Sequence, residues 1–385
     1  MSQISFLNSK GVSAMKISPF LLERIQSAWE HKVKYNLSES GVHAVSIKDL
    51  LDQEEIRALP EFSLGYSQTN GTEELRHMIS LLYWGADQEN ILVTNGTAEA
   101  NFVSIWSLIE PGDELVYMLP NYMQIYGIAK AFGAALKTFS LREELAWSPD
   151  LDELKRLVTP RTKIIAVCNP NNPTGSVLSE KTIEEIVRLA GQVGSWILAD
   201  EIYQGAELEG PRTKTFWGRY EKVLVTAGLS KAYGIPGLRI GWIAGPKDFI
   251  ESAWAYHDYS TITVGTVSDY LARKALEPKR RDWLLDRNKG VLREQLKLLN
   301  TWISENSRVF KMVLPKAGAM AYLRYDLPVN STDLALRLIR EKSVLIVPGD
   351  CFGMDSFIRI GYGAEKSCLL AGLKRIKETV HDILR

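Results

Sequence analysis

The sequence predicts an α/β protein with a large domain, built on a mostly parallel sheet, and a smaller α+β domain. Short apolar runs alternate with amphipathic helical segments through the middle of the chain, which is typical of a parallel sheet covered by helices on both faces. After about residue 279 the pattern changes to a long charged helical stretch followed by strand-like segments. A chain of 385 residues is long enough to bury two cores.

The expected sheet is built from apolar runs that are bounded by turn or helix signals. These runs are residues 91–93, 114–118, 163–167, 196–199, 223–226 and 240–244. Between the runs, Ser179 can cap a helix over 180–190, in which Ile183 and Ile186 share one face. A further helix is expected after Gly71, because acidic residues fill its first turn.

The last third of the chain has elements of its own. Strands are expected at 310–314 and 320–325, and helices at 332–340 and 365–383. Apolar residues of the final segment recur at helical spacing. These elements favour a second core.

Composition and charge exclude several function classes. Lys+Arg and Asp+Glu are both 46, so no net positive charge draws the chain to nucleic acid. The three cysteines and five histidines lack disulfide or metal-ligand spacing. No apolar run has the length of a membrane span, and residues 1–10 lack a secretion signal. We therefore expect a cytoplasmic protein without a metal. Because Met15 opens the segment Met-Lys-Ile-Ser-Pro-Phe, residues 1–14 are either a loose extension or part of the native start.

Lys231 is the most informative residue. It follows the predicted strand 223–226 and precedes the turn Gly-Ile-Pro-Gly at 234–237, and Arg239 stands eight residues further on. Such a pair suits a cofactor with an aldehyde and a phosphate, because the amine forms an imine and the fixed cation holds the phosphate. A solvated surface lysine is the plainer interpretation, but the turn is not typical of a surface helix.

Two earlier segments also follow predicted strands. Gly96, Thr97 and Ala98 stand between a strand and a helix, where small residues let backbone N–H groups approach an anion. A helix-capping loop is the alternative for these three residues. Tyr122 follows the strand 114–118 and can stack on a flat ring or simply lie in the core.

Two more strand ends carry polar residues. Asn172 lies in the Asn-Pro-Asn-Asn-Pro-Thr-Gly turn at 169–175, and its bond to Pro173 is a candidate cis peptide. Asp200 ends the strand 196–199, where a buried carboxylate needs a cationic partner such as a protonated pyridine nitrogen. A plain turn and a helix-capping aspartate are the structural alternatives.

These five segments, in this order, resemble the class I and II pyridoxal-phosphate aminotransferases, the aspartate aminotransferase-like enzymes of PLP fold type I. The resemblance extends over nearly the full chain and implies pyridoxal 5'-phosphate, attached to Lys231 as a Schiff base. It also implies a large cofactor-binding domain over residues 42–280, with a mostly parallel sheet of the seven-stranded type covered by helices. The small domain is then made from both chain ends, residues 1–41 and 281–385.

The resemblance implies a role for each site residue. The implied phosphate contacts are Gly96, Thr97, Ala98, Ser230 and Arg239. The family's hydroxyl residue three positions before the lysine is replaced here by Gly228, so that one phosphate contact is expected to be lost or taken over by water.

The implied ring contacts come from four residues. Tyr122 matches the family's stacking aromatic, and Asp200 matches the acid that faces the ring nitrogen. Asn172 and Tyr203 match the residues that hydrogen-bond the phenolic oxygen.

Substrate and subunit contacts complete the resemblance. Arg359 matches the arginine that binds the substrate α-carboxylate, with Asn172 beside it, and Gly41 is the nearest match in the loop that closes over the substrate. Tyr66 matches the tyrosine that reaches the phosphate of the neighbouring subunit, which implies a homodimer.

The expected reaction is transfer of an α-amino group between an amino acid and a 2-oxo acid, with no membrane or nucleic-acid partner. A lyase or cyclase that eliminates, replaces or cyclises an amino acid is the alternative, because the same residues serve both. A Rossmann dehydrogenase is disfavoured by the lack of Gly-x-Gly-x-x-Gly after a first strand. A binding-only protein of this fold would be expected to lose Lys231.

Overall fold

An eight-stranded sheet forms the centre of the fold in the computed structural model, which describes residues 17–385. The strands in this part of the chain are β1 (Tyr35–Asn36), β2 (Ile91–Thr94), β3 (Glu114–Leu119), β4 (Ala135–Arg142), β5 (Ser148–Pro149), β6 (Thr162–Cys168), β7 (Trp196–Asp200), β8 (Val223–Gly228), β9 (Gly241–Ala244), β10 (Phe310–Met312), β11 (Met320–Tyr325), β12 (Val344–Leu345), β13 (Val347–Pro348) and β14 (Phe357–Gly361). The helices there are α1 (Leu21–Trp29), α2 (Ile47–Leu50), α3 (Gln53–Ala58), α4 (Glu73–Ser80), α5 (Thr97–Leu108), α6 (Gln124–Ala131), α7 (Leu151–Leu157), α8 (Glu180–Val193), α9 (Lys247–His257), α10 (Thr266–Leu276), α11 (Pro278–Glu305), α12 (Ser331–Arg337) and α13 (Lys366–Leu384).

The large sheet confirms the predicted fold class. Its strand order is β2-β9-β8-β7-β6-β3-β4-β5, so seven strands are extended at one edge by the two-residue β5. Strand β9 is antiparallel to β2 and β8, and β5 is antiparallel to β4, whereas the other neighbours are parallel. Because β3, β6, β7 and β8 run the same way, the polar segments that follow them meet at one edge of the sheet.

Burial on both faces explains why the central strands are recognisable as apolar runs. In β6, Ile164 and Ala166 pack into the apolar cluster on one face, and Ile165 and Val167 into the cluster on the other. The runs predicted at 91–93, 114–118, 163–167, 196–199, 223–226 and 240–244 all fall on strands of this sheet. Strand β4 is not predicted by the sequence, because most of its residues are only half-buried and polar ones interrupt it.

Local signals fix the helix ends. Ser179 caps α8 by accepting a hydrogen bond from the backbone N–H of Thr182, and the helix ends at Gly194, whose φ of 71° is left-handed. Thr72 caps α4 in the same way through the N–H of Leu75. The predicted helices at 180–190 and after residue 71 are therefore confirmed.

A second, antiparallel sheet with the order β10-β11-β14-β13 is formed by the last third of the chain. Beside it, β1 pairs with β12, so that Tyr35 lies opposite Val344. The start of the described chain thus packs with its end. The proposed boundaries at 42–280, 1–41 and 281–385 stay a prediction.

No helix within residues 17–385 has the length and apolar character needed to cross a membrane. That range also brings together no group of three acidic, histidine or cysteine side chains suited to a metal ion. Cys168, Cys351 and Cys368 are free thiols. Residues 1–14, a loose extension in one of the two interpretations of the sequence, lie outside the described residues.

The contact between β14 and the segment after β1 predicts where the fold tolerates no side chain. The N–H of Gly361 donates to the carbonyl of Leu37 at 2.7 Å, and a Cβ at 361 would lie 1.8 Å from the carbonyl oxygen of Glu39. Gly361→Ala should therefore lower the free energy of unfolding by about 1–3 kcal/mol, measured by denaturant titration. Gly290→Ala is the control, because a Cβ in the middle of α11 meets nothing within 4 Å and should raise stability by up to about 1 kcal/mol. Equal effects of the two substitutions would contradict the proposed contact.

Candidate active site

One cavity of about 490 Å³ brings most of the predicted site residues together. It lies against the ends of strands β6 and β7, and helix α1 forms part of its wall. The predicted residues that line it are Thr97, Ala98, Tyr122, Asn172, Asp200, Tyr203, Ser230, Lys231, Arg239 and Arg359. Gly96, Gly41 and Tyr66 are the predicted residues that do not.

Lys231 faces the cavity with a carboxylate as its partner. Its Nζ lies 2.5 Å from Oε1 of Glu39, in the loop after β1. Burial pulls the pKa of Lys231 down, but the Glu39 carboxylate outweighs this and the pKa lies above its usual value. In turn, the charge of Lys231 lowers the pKa of Glu39 to about 2 against the effect of burial. The pair is therefore ionised at neutral pH.

A positively charged corner forms where helix α5 begins. Gly96 precedes the helix with a φ of 84°, and a Cβ there would lie 2.2 Å from Nη2 of Arg239, so that the guanidinium lies against the Gly96 backbone. Nη1 of Arg239 is 3.4 Å from Oγ of Ser230. A helix N-terminus beside a guanidinium favours an anion such as a phosphate.

The structure gives a steric reason for Gly228. A Cβ at this position would lie 2.7 Å from Oγ1 of Thr97 and 2.7 Å from the carbonyl oxygen of Ile240. The Thr97 hydroxyl occupies that space and donates to the carbonyl of Ala227 at 2.9 Å. There is therefore no room for a hydroxyl-bearing side chain at position 228. The hydroxyl that lies beside this position is that of Thr97.

Asp200 is a buried carboxylate without a cation. It is 5% exposed, and it accepts hydrogen bonds from Nδ2 of Asn101 at 3.2 Å and from the N–H of Ile202 at 3.1 Å. No Lys, Arg or His side chain in residues 17–385 forms an ion pair with it. Burial raises the pKa of Asp200 to about 6, although the two hydrogen bonds oppose the shift.

Tyr203 stands between the Lys231 end of the cavity and the loop after β1. Its hydroxyl donates to Oγ of Ser40 at 2.8 Å. Burial raises its pKa to about 12, against the opposing charges of Lys231 and Arg359. The phenol is therefore protonated at neutral pH and can act as a hydrogen-bond donor.

Arg359 joins the small sheet to the large one. It is 1% exposed on β14, and Nη1 donates to Oδ1 of Asn172 at 2.8 Å while Nη2 donates to the carbonyl of Ser38 at 2.6 Å. Its Nε has no partner among the described residues. Because Oδ1 of Asn172 faces the guanidinium, the amide nitrogen of Asn172 is left to donate elsewhere. The Asn172–Pro173 bond is cis, as predicted.

The remaining predicted residues lie around this centre. The hydroxyl of Tyr122 donates to Oε1 of Glu23 on α1 at 2.7 Å. The N–H of Gly41 donates to Glu39 at 3.0 Å, and a Cβ at 41 would lie 3.6 Å from Cδ of Lys231, so Gly41 is beside the lysine. Tyr66 is 90% exposed and lies outside the cavity.

Sequence reasoning missed Asn101, Glu39, Ser40 and Ser38. Asn101 had a usable signal, because it lies four residues after Thr97 and therefore on the same face of α5. The other three sit in the loop after β1, where no periodic pattern marks a residue that reaches a distant partner. Their roles depend on contacts that only the folded chain creates.

The residues present fit pyridoxal 5'-phosphate. Asp200 is a buried carboxylate that lacks a cation, as expected for a partner of a protonated ring nitrogen. Arg239 and the start of α5 offer a phosphate corner, and Lys231 faces the same cavity. The donor set contains no cluster suited to a metal within residues 17–385.

A family model described as "Aminotransferase class I and II" matches residues 43–376. The chain belongs to this family. Pyridoxal 5'-phosphate is the cofactor of class I and II aminotransferases. This protein is a PLP-dependent transaminase.

Relatives of this aminotransferase carry more than one name. A capreomycidine synthase from Streptomyces vinaceus is 29% identical over 373 residues, which cover 96% of this chain and 94% of that protein. A probable aspartate/prephenate aminotransferase from Aquifex aeolicus is 27% identical over 353 residues, covering 87% and 88%. The crystal structure of a PLP-dependent aminotransferase from Streptococcus suis has a TM-score of 0.90 at 32% identity, covering 96% of this chain and 99% of that one.

The buried Asp200 makes the stability of the cofactor-free aminotransferase depend on pH. Its folded pKa of about 6 lies above the ordinary 3.8, so the folded state binds the extra proton and stability is lost as the pH rises through this window. Asp200→Asn removes that loss, and its stability relative to wild type should improve by about 3 kcal/mol between about pH 4 and about pH 7.

Denaturant unfolding of both proteins across this pH range measures the difference. The neighbouring Glu201, whose pKa burial raises to about 7, titrates in both proteins, and because the charge of Asp200 is the smallest cause of that shift, most of its contribution cancels. A difference that does not change with pH would show that Asp200 titrates normally.

Proposed function

We propose that this aminotransferase moves an α-amino group between an amino acid and a 2-oxo acid, with Lys231 as the residue that anchors the cofactor. One observation carries the proposal: Lys231 faces the same cavity as Asp200, a buried carboxylate that has no cation of its own. When bound, the cofactor supplies an electron sink for the electron pair left at the substrate α-carbon.

The proposed phosphate site is the positively charged corner. Arg239 holds the phosphate through its guanidinium, Ser230 adds a hydroxyl, and the backbone N–H groups at Thr97 and Ala98 point to it from the start of α5. Gly96 allows Arg239 to lie close to the backbone. The loss of a hydroxyl at Gly228 removes none of these groups.

The proposed ring site depends on three polar side chains. Asp200 stays ionised opposite the ring nitrogen and keeps its proton in place. Tyr203 donates its phenolic hydrogen, and Asn172 its amide hydrogen, to the ring oxygen. Tyr122 lies against the ring face, and Glu23 holds its hydroxyl.

Lys231 and Arg359 act on the substrate. Nζ of Lys231 takes the proton from the substrate α-carbon, a step for which its position in the cavity is suited. Arg359 binds the α-carboxylate with the N–H groups that Asn172 and Ser38 leave free, since only two of its five are used in hydrogen bonds.

The proposed assembly is a homodimer in which Tyr66 serves the neighbouring site. Tyr66 lies outside its own cavity, and its exposure of 90% is accompanied by that of Leu64 at 83%. Exposed apolar side chains of this kind favour a protein partner. The cytoplasmic location stays a prediction.

A synthase-type reaction, such as cyclisation of an amino acid, is the second candidate. The observation that favours it is the 29% identity to a capreomycidine synthase over 96% of this chain. The proposed roles of Lys231, Asp200 and Arg359 are common to both candidates, so the residues do not separate them.

Lys231→Ala should abolish turnover and leave no bond between protein and cofactor that borohydride can reduce, because the anchoring amine is gone. Mass spectrometry of the reduced protein measures the bond. Lys181→Ala, at an exposed lysine of α8, is the matched control and should keep both properties. A reducible adduct in the Lys231 variant would refute the assignment.

A half-reaction screen of amino acids against the holoenzyme separates the two candidates. Transamination should convert the cofactor to its aminated form and release a 2-oxo acid, which absorbance spectroscopy and product analysis detect. Ammonia or a rearranged amino acid, released from an enzyme with unchanged cofactor, would favour the second candidate instead.

A further inference from the structure

The cavity is lined by more acidic side chains than the proposed cofactor and α-carboxylate sites use. Besides Asp200, three glutamates line it: Glu23, Glu30 and Glu39. Glu23 and Gln26 share one face of α1, because they are three positions apart, and Glu30 follows the end of that helix. Glu39 approaches from the loop after β1 and contacts Lys231.

The cations of the cavity are already assigned by the proposed function. Within residues 17–385, the lysine and arginine residues that line the cavity are Lys231, Arg239 and Arg359. Arg239 belongs to the phosphate and Arg359 to the α-carboxylate, while the amine of Lys231 is engaged by the cofactor. Glu39 then loses the only ion-pair partner that the described residues offer it.

Glu23 also lacks a cation. Its carboxylate accepts a hydrogen bond from the hydroxyl of Tyr122, and among the described residues Glu23 forms no ion pair. Glu30 has only an imidazole beside it, since Nε2 of His31 lies 3.4 Å from its carboxylate and is a cation only when protonated. Glu39 and Glu23 therefore have no ion-pair partner among the described residues when cofactor and α-carboxylate are in place.

The site is more than a group of acidic residues. Arg359, which is 1% exposed and has an unpaired Nε, faces the same cavity and requires an anionic group such as the α-carboxylate. An amino acid held there places its side chain in a space whose remaining charged groups are negative. An acidic side chain would meet two carboxylates and no spare cation, whereas a cationic one would find two carboxylates without an ion-pair partner.

We propose that the substrate of this enzyme is an amino acid with a cationic side chain, an amine or a guanidinium, which Glu39 and Glu23 receive. The proposal rests on the proposed transamination and names the substrate class of the same site. Glu39 and Glu23 are specificity residues: they bind the distal charge, and the reacting atoms stay with Lys231 and Arg359.

The first test compares half-reactions of the holoenzyme with lysine, arginine, norleucine and glutamate. A charged hydrogen bond in a shielded site changes an affinity about ten- to a hundredfold. Lysine or arginine should therefore exceed norleucine and glutamate in kcat/KM by at least about tenfold. A preference for norleucine or glutamate would overturn the proposal while leaving transamination intact. If no amino acid aminates the cofactor, transamination itself fails, and the binding test below still decides the charge preference.

The second test measures binding of unreactive carboxylates to the holoenzyme through the cofactor absorbance. The probes are 5-guanidinopentanoate and pentanoate, which differ by the distal guanidinium, a group that, unlike an amine, does not condense with the cofactor. The guanidinium should improve binding at least about tenfold in wild type, and the ratio should fall towards one in Glu39→Gln and in Glu23→Gln. Because the two ligands are compared within one variant, a changed cofactor affinity cancels.

Glu184→Gln, at an exposed glutamate on α8, is the control and should keep the wild-type ratio. Because Glu39→Gln and Glu23→Gln are both measured, the test still gives a result if one of these two variants fails to fold. A ratio near one in the wild type, or an unchanged ratio in the variants, would overturn the proposal.

Discussion

A buried carboxylate without a cation is the constraint on which the site depends. Strand β7 lies between β6 and β8, so that Asp200 is fixed where water does not solvate it. Asn101 and the N–H of Ile202 orient the carboxylate but bring no charge. An ionised group in such a position is unfavourable unless a ligand supplies the positive charge. We propose that the protonated pyridine ring of the family's cofactor is that ligand.

The other charged groups are arranged around this acid by both sheets. The large sheet and α5 contribute Lys231 and the phosphate corner at Arg239, while β14 of the small sheet contributes Arg359. The hydrogen bond from Arg359 to Asn172 links the two sheets at the place where we propose that the substrate carboxylate binds. Arg359 is therefore placed to contact the proposed substrate carboxylate and the turn after β6 at the same time.

The parts that the sequence predicts are those with a local signature. Lys231, Asp200 and Asn172 each follow an apolar run, and the ends of parallel strands meet at one edge, so their association follows from the fold class. Strand β4 escapes prediction because its half-buried residues form no apolar run. Glu39 escapes because its partner, Lys231, is 192 positions away and only tertiary packing joins them. The lack of a hydroxyl at Gly228 is visible in the sequence, but the Thr97 hydroxyl that lies against this position is not.

The charge state of the ring nitrogen tests the account most directly. The nitrogen chemical shift of 15N-labelled cofactor, bound to the enzyme at neutral pH, reports whether that atom carries a proton. The account predicts a protonated nitrogen in the wild type and an unprotonated one after Asp200→Asn. An unprotonated nitrogen in the wild-type enzyme would contradict the pairing with Asp200 and with it the proposed chemistry of the site.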